Sequence, residues 1–496
     1  MEAARSGRWV EACAWGLLAL ALGRLAVVVT GQLTFPLDLE FETLQLRTVR
    51  VIESGANPYG PETYASLPYV FSVYTPLYHL LVAALPEVAG RPFLVGRLLA
   101  LGATLLVAAG FFLVDGRRTR PALAAFACGV FLLLWPVAGH AAYMRQEPLA
   151  LLASAAAMLL LARGGARAAA GAAICCLLAL GFKQSFLAAP VAGLLYVALA
   201  RRRREALAFG GVLVGLGAAG AAAATLLWGS GFWFCTIAGT EDAWSGRQFL
   251  AAWRGVLLEP AFGALLVLAA LVAASRLRGG PAGAGGLLPM LRRSPYAAFA
   301  LVAVAALLAS VGKVGSHSLY FLESILALLL WLVFELGRAP PSPRAAAVAG
   351  LLALGLAVAD VARSTAHRSA LAWPEPVRPG SDYATDARAA LEQRGLSHPL
   401  VLNLGPLRAV GAIADDFCVN DALLYDRLFR TGRLSPEPLI ADVRRQAFDV
   451  VLLTAKQPIP PPADAADPMS RVIAAVAETY RLAGRDLVLQ YFVRDG

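Results

Sequence analysis

Long apolar runs recur along this chain from Trp9 to Ala362, separated by short loops that carry arginine. Such runs decide the solvent before they decide the fold. Roughly 20 apolar residues wound as a helix cross about 30 Å of hydrocarbon, and inside a bilayer every backbone N–H and C=O must be satisfied within the chain. Of the 496 residues, 58% are hydrophobic and 15% charged, with a mean hydropathy of +0.64. That is too apolar for a soluble protein of this length. From Arg363 onward the texture changes to ordinary mixed polar sequence.

The runs predict a polytopic α-helical membrane protein of about 11 transmembrane helices, near 9–31, 92–114, 121–140, 148–162, 168–182, 186–200, 206–228, 260–275, 296–311, 318–336 and 345–362. The formal charge of +10 comes from many Arg and only three Lys. Arg117, Arg118, Arg120, Arg163, Arg167, Arg201 to Arg204, Arg276, Arg278, Arg292, Arg293, Arg338 and Arg344 fall in alternate short loops. By the positive-inside rule those loops and the N-terminus are cytoplasmic, which predicts an inner (plasma) membrane protein with its C-terminal part outside. Arginine spread in this way signals topology, and it argues against a nucleic-acid partner. The first run, too long for a signal core, reads as a retained span. None of the six cysteines has metal-site spacing, and the sequence leaves open a bridge between Cys235 and Cys418. The expected division is a membrane domain over 1–363 and a soluble domain over 364–496. Within the first lies an external loop, 32–91, with a short interfacial helix near 75–89.

Charges at the edge of hydrocarbon are costly, about 2.5–3.5 kcal/mol at the centre of a lone helix, so those that occur there tend to work. On the predicted outer side, Pro36-Leu37-Asp38-Leu39-Glu40-Phe41-Glu42 places three acids at alternate positions. If extended, all three share a face; if helical, Asp38 and Glu42 do. Convergent carboxylates raise one another's pKa and suit a general base or a metal ligand, so a divalent metal stays open. A solvated acidic turn is the plain alternative. Arg145 and Glu147 precede one span, with Pro148 placed for a first helical turn, and Lys183 and Gln184 end another. Lys313, His317, Tyr320 and Glu323 lead into the tenth, the last three spaced by three on one helical face. Each has a bland reading as an anchor or a silent pair. Together they put cations beside acids on one side, and cations there suit a phosphate-bearing substrate.

The motifs Pro36-Leu37-Asp38-Leu39-Glu40, Tyr74-Thr75-Pro76-Leu77-Tyr78, Arg145-Gln146-Glu147-Pro148-Leu149-Ala150, Lys183-Gln184-Ser185 and Tyr320-Phe321-Leu322-Glu323 resemble, in order, those of the GT-C class of membrane glycosyltransferases. That class includes protein O-mannosyltransferases and aminoarabinose transferases. The resemblance implies transfer of a sugar from a polyprenyl-phosphate donor to a lipid, glycan or protein acceptor on the extracytoplasmic face. It implies Asp38 as base with Glu40 beside it, Arg145 and Lys183 on the donor phosphate, and Glu42, Tyr78, Glu147, Gln184, Lys313, His317, Tyr320 and Glu323 around the pocket. The chain departs from the family pattern in having Leu39 between the two acids and Gln146-Glu147 after Arg145.

Beyond Asp382, strands are expected at 399–404, 448–454 and 487–492, with helices at 438–446 and 469–480 between them. This is a small α/β layer, expected to cap the site or bind acceptor. A transporter or flippase of lipid-linked substrate and a noncatalytic envelope scaffold are the rival readings. The charges gather at span ends instead of the midplane where transporters bind, and no inverted repeat is evident.

Overall fold

The computed structural model describes residues 2–34, 42–88, 90–114, 120–241, 243–257, 260–278, 286–313, 318–338, 399–402, 419, 421–454, 467–485 and 489–494. Asp38, Glu40, His317, Cys418 and the eleventh predicted span, 345–362, lie outside them. The described chain forms two units. One comprises Met1–Leu33, Gly96–Ala221 and Asp242–His367, the other Thr34–Val95, Ala222–Glu241 and Arg368–Gly496.

The helices, in order, are α1 (Glu2–Thr34), α2 (Glu42–Glu53), α3 (Pro61–Tyr64), α4 (Leu77–Ala83), α5 (Leu94–Gly110), α6 (Pro121–Leu133), α7 (Trp135–Ala138), α8 (Glu147–Arg163), α9 (Ala166–Phe182) and α10 (Ala188–Leu199). They continue with α11 (Arg203–Thr236), α12 (Gly246–Leu257), α13 (Pro260–Arg278), α14 (Leu287–Arg293), α15 (Pro295–Ser310) and α16 (Leu322–Arg338). Ten of the eleven predicted runs coincide with these helices. Among the described residues, four helices are long and apolar enough to cross a bilayer: Glu11–Thr34, Leu94–Leu113, Arg203–Thr236 and Leu319–Arg338.

Three departures from the sequence reading have local causes. The run 121–140 breaks after α6, where Leu134 turns extended, because Pro136 cannot donate to the carbonyl four residues back and its ring crowds that carbonyl. Helix α11 runs past its expected end through a kink at Gly229, whose φ of 68° is a left-handed geometry that glycine adopts without a Cβ clash. Helices α14 and α15 meet at Ser294 at an angle of 118°, so α14 is an added bend ahead of the predicted run.

The first unit has an apolar core built from Leu17, Phe131, Met158, Phe299, Leu326 and their neighbours. Outside it, Leu207, Val214 and Leu216 of α11 stay exposed, the first by 77%, as side chains facing lipid do.

In the second unit three further helices, α17 (Ala422–Arg430), α18 (Glu437–Arg444) and α19 (Pro468–Thr479), pack with a sheet of β1 (Pro399–Val401), β2 (Val450–Thr454), β3 (Tyr480–Arg485) and β4 (Leu489–Arg494). The strand order is β1-β2-β4-β3, with β1 and β2 parallel and the other pairings antiparallel. Val450 to Leu453 are all buried, which is why this central strand is a continuous apolar run. The external loop belongs to the same unit. Tyr69 Oη donates to Asp442 Oδ2 at 2.6 Å, Tyr425 Oη to the Tyr64 carbonyl at 2.7 Å, and Val419 N to the Pro68 carbonyl at 3.2 Å.

Candidate functional site

Helices α8 and α9 form an antiparallel hairpin turned by Gly164 and Gly165, both at positive φ (74° and 89°). Each helix has 17 residues, so the start of α8 and the end of α9 come level. Glu147 opens α8, where a carboxylate faces the positive end of the helix dipole, with Pro148 in the first turn as the sequence predicts. Lys183 follows the last residue of α9, where a cation faces the negative end.

Three of the predicted residues therefore meet. Lys183 Nζ donates to Glu147 Oε1 at 2.6 Å; Arg145 Nη2 donates to the same oxygen at 3.1 Å and Arg145 Nε to Oε2 at 3.4 Å. The Glu147 side chain is 1% exposed and its two partners 11% and 12%. Two cations share one carboxylate in a largely dehydrated place, where charge acts at longer range than in water. Lys183 also lies 6.0 Å from the centre of the Tyr320 ring, within cation–π reach.

The segment carrying Arg145 is tied down from α1 and α5. Gln32 Nε2 donates to the Gly139 carbonyl at 2.7 Å, Gln32 Oε1 accepts from Ala142 N at 3.2 Å, and Arg97 Nη1 donates to the Gln32 carbonyl at 2.8 Å. Beside the cluster opens a recess lined by Phe131, Leu151 and Leu322 together with His140, Arg145 and Glu147. His140, buried with its ring 5.1 Å from that of Tyr143, is a site residue that the sequence reading passed over. Its only sequence signal was a histidine at the end of an apolar run.

Of the other predicted residues, those that the structure describes make different contacts. Glu323 turns to the start of α10, accepting from Ala189 N at 3.3 Å and from Ser154 Oγ at 3.4 Å. Gln184 sits in the turn after α9. Lys313 is bridged to Trp244 through the backbone. Glu42, wholly buried, opens α2, and Tyr78 is buried in α4 with its ring edge-on to His79. Among the described residues no three His, Cys, Asp or Glu gather as metal ligands do.

No protein-family model matches the chain, and no curated protein does. Solved structures do. ArnT from Cupriavidus metallidurans bound to undecaprenyl phosphate is similar over 96% of this chain and 97% of its own, at 14% identity and a TM-score of 0.59. An oligosaccharyltransferase from Archaeoglobus fulgidus, tethered to an acceptor peptide, is similar over 88% of this chain and 69% of its own, at 11% identity and a TM-score of 0.51. Both are GT-C enzymes. This chain has the GT-C fold. With its apolar helices, that fold makes it an integral membrane protein. Within the GT-C frame, the paired cations at the level ends of α8 and α9 are the feature to explain.

Proposed function

We propose that the chain is a membrane glycosyltransferase that moves a hexosyl or pentosyl group from a polyprenyl-phosphate donor to an acceptor on the extracytoplasmic face. The observation that carries this reading is Arg145 and Lys183 converging on Glu147 beside a recess of apolar residues. A lipid phosphate is an anion on an apolar tail, and two buried cations next to an apolar recess are its chemical complement. The GT-C fold supports the reading, and ArnT of that fold was crystallised with undecaprenyl phosphate.

In the proposed reaction, an acceptor hydroxyl attacks the anomeric carbon as the bond from that carbon to the phosphate oxygen breaks, with inversion. Asp38, with Glu40 beside it, takes the hydroxyl proton. The bonding pair leaves on the phosphate, whose growing charge Arg145 and Lys183 balance. His317, Tyr320, Gln184, Lys313, Glu42 and Tyr78 are kept as residues around the donor and acceptor.

The test is transfer of radiolabelled sugar from a polyprenyl-phosphate donor by the purified chain. Asp38→Asn is expected to abolish transfer with folding retained, and Lys183→Met to lower kcat/KM by about 10²–10³ as lost oxyanion donors do. Normal turnover by Asp38→Asn would remove the base assignment. Transport without transfer would replace the reading with the flippase one.

A further inference from the structure

The second unit holds a recess of its own. Its walls come from α2 (Leu44, Gln45, Thr48), from the strand-like stretch after α3 (Phe71, Val73, Tyr74), from His79 of α4, and from Asp421 at the start of α17. It is a shallow recess that opens widely to solvent, the form in which a single ring is held at a surface.

We propose that this recess is a carbohydrate subsite that takes an uncharged, polyhydroxylated ring of the acceptor. The word acceptor rests on the glycosyltransferase reading; the carbohydrate chemistry does not.

The lining offers the groups that hydroxyls pair with. Thr48 contributes a hydroxyl and Asp421 a carboxyl. Gln45 and Tyr74 add an amide and a phenol. Phe71, Leu44 and Val73 give the apolar wall against which the C–H face of a sugar ring packs. The residues lining the recess include no Lys or Arg, in contrast to the cationic cluster of the first unit, so the recess does not suit a phosphate. Burial pushes the His79 imidazole down to about 4, against a smaller upward pull from its hydrogen bond to the Thr75 backbone, so it is neutral near pH 7.

These groups are also held in place before a ligand arrives. His79 Nε2 and Gln45 Oε1 lie 2.7 Å apart, Thr48 Oγ1 and Ser72 Oγ lie 3.1 Å apart, and Tyr59 Oη donates to the Tyr74 carbonyl at 2.7 Å. Asp421 spends Oδ1 on capping α17, accepting from Leu424 N at 3.0 Å. A preformed set of donors and acceptors recognises hydroxyls at low ordering cost. The C-terminal segment thereby contributes a side chain to recognition, which a detached cap does not.

The experiment is saturation-transfer NMR on the full chain in lipid nanodiscs with methyl α-D-mannopyranoside, methyl α-D-arabinofuranoside and methyl β-D-galactopyranoside as probes. At least one glycoside is expected to receive saturation. Its affinity is expected to fall about tenfold in Thr48→Val, which loses one hydrogen bond to a ring hydroxyl, and in Asp421→Asn, which replaces a carboxylate acceptor of a hydroxyl proton by an amide donor. Thr48→Ser, which keeps the hydroxyl, is expected to bind as the wild type does. Affinity for undecaprenyl phosphate stays within about twofold in all three, and that measurement with the melting curve shows that they are folded. The proposal is overturned if no glycoside receives saturation, if Thr48→Val and Asp421→Asn bind as the wild type does, or if inorganic phosphate displaces the glycoside. Glycoside binding without sugar transfer leaves the subsite standing and removes the enzyme reading; transfer without binding does the reverse.

Discussion

Replacing Glu147 by Gln keeps the shape of the side chain and removes a carboxylate that Arg145 and Lys183 share. The Lys183 contact of 2.6 Å and the Arg145 contact of 3.1 Å are each worth several kcal/mol before desolvation at an effective dielectric of about 20. All three groups are nearly excluded from solvent, so the loss leaves two dehydrated cations facing each other. Breaking a buried pair from one side costs about 3–5 kcal/mol, which at roughly 2–4 °C per kcal/mol lowers the melting temperature by on the order of 10 °C. Loss of the shared negative charge makes a bound anion worth more. Undecaprenyl phosphate is therefore expected to raise the melting temperature of Glu147→Gln further than that of the wild type, and adding Lys183→Met to recover part of the lost stability. Thermal unfolding in detergent followed by tryptophan fluorescence, with and without the lipid, measures all of this. If Glu147→Gln melts with the wild type and the lipid shifts both equally, the charge argument fails.

Further outcomes follow from other contacts. Gln32→Leu removes both side-chain bonds to the segment 139–142 and is expected to cost about 1–3 kcal/mol, with a rise in KM for the donor when transfer is assayed. Gly231→Ala drives a Cβ into the Tyr59 carbonyl, a backbone atom that cannot swing aside; a loss of about 1–3 kcal/mol or more in a melting experiment is expected. His79 and Asp421 tilt the pH profile in opposite senses. Burial holds His79 at about 4, below its ordinary 6.5, so stability is lost as pH falls from 6.5 towards 4; burial lifts Asp421 from 3.8 to about 6, against backbone hydrogen bonds from Leu424 and Leu423, so stability is lost as pH rises across nearly the same range. Each is worth roughly 3 kcal/mol, and Asp421→Asn exposes the His79 slope: the variant melts lower at about pH 4.5 than at about pH 7, and a flat profile refutes the pairing.

Local signals made much of this legible. Apolar runs marked helices because hydrocarbon demands internally bonded backbone, and Glu147-Pro148 marked the start of α8 by dipole and proline chemistry. Val450 to Leu453 read as a buried strand for its unbroken apolar character. Helix α17 was as readable as these, since Asp421 caps a segment, ALLYDRLFR, with apolar residues at helical spacing, yet the reading went past it. Strand β3 was harder. Its sequence YRLAGR carries a glycine at a register shift and lacks a sustained alternation, and the sequence reading assigns no strand there. That Glu323 faces the start of α10 was not legible, because the side chain leans on the turn before its own Cα and the helix packed there is a tertiary fact. The recess around His79 lay beyond pattern altogether, since Gln45, Tyr74 and Asp421 become neighbours only through folding.

Charge divides the two recesses in a way that bears on the chemistry of transfer. A donor that leaves as a lipid phosphate carries its charge throughout the reaction, so the groups that hold it must be cationic and remain so, and Arg145 and Lys183 meet that demand because Glu147 makes their burial tolerable. An acceptor hydroxyl is neutral until it reacts, and a cation beside it would favour anions as competitors. The recess of Thr48, Gln45, Tyr74 and Asp421 offers hydrogen bonds with no cation in its lining, and rejection of anions there is as much a part of recognition as the bonds it forms. The proposed lipid-phosphate and sugar-hydroxyl sites thus use residues that do not overlap. A transferase requires both and a scaffold neither, which is why loss of lipid binding in Lys183→Met with glycoside binding intact, and the converse in Thr48→Val, is the pattern that separates the two readings.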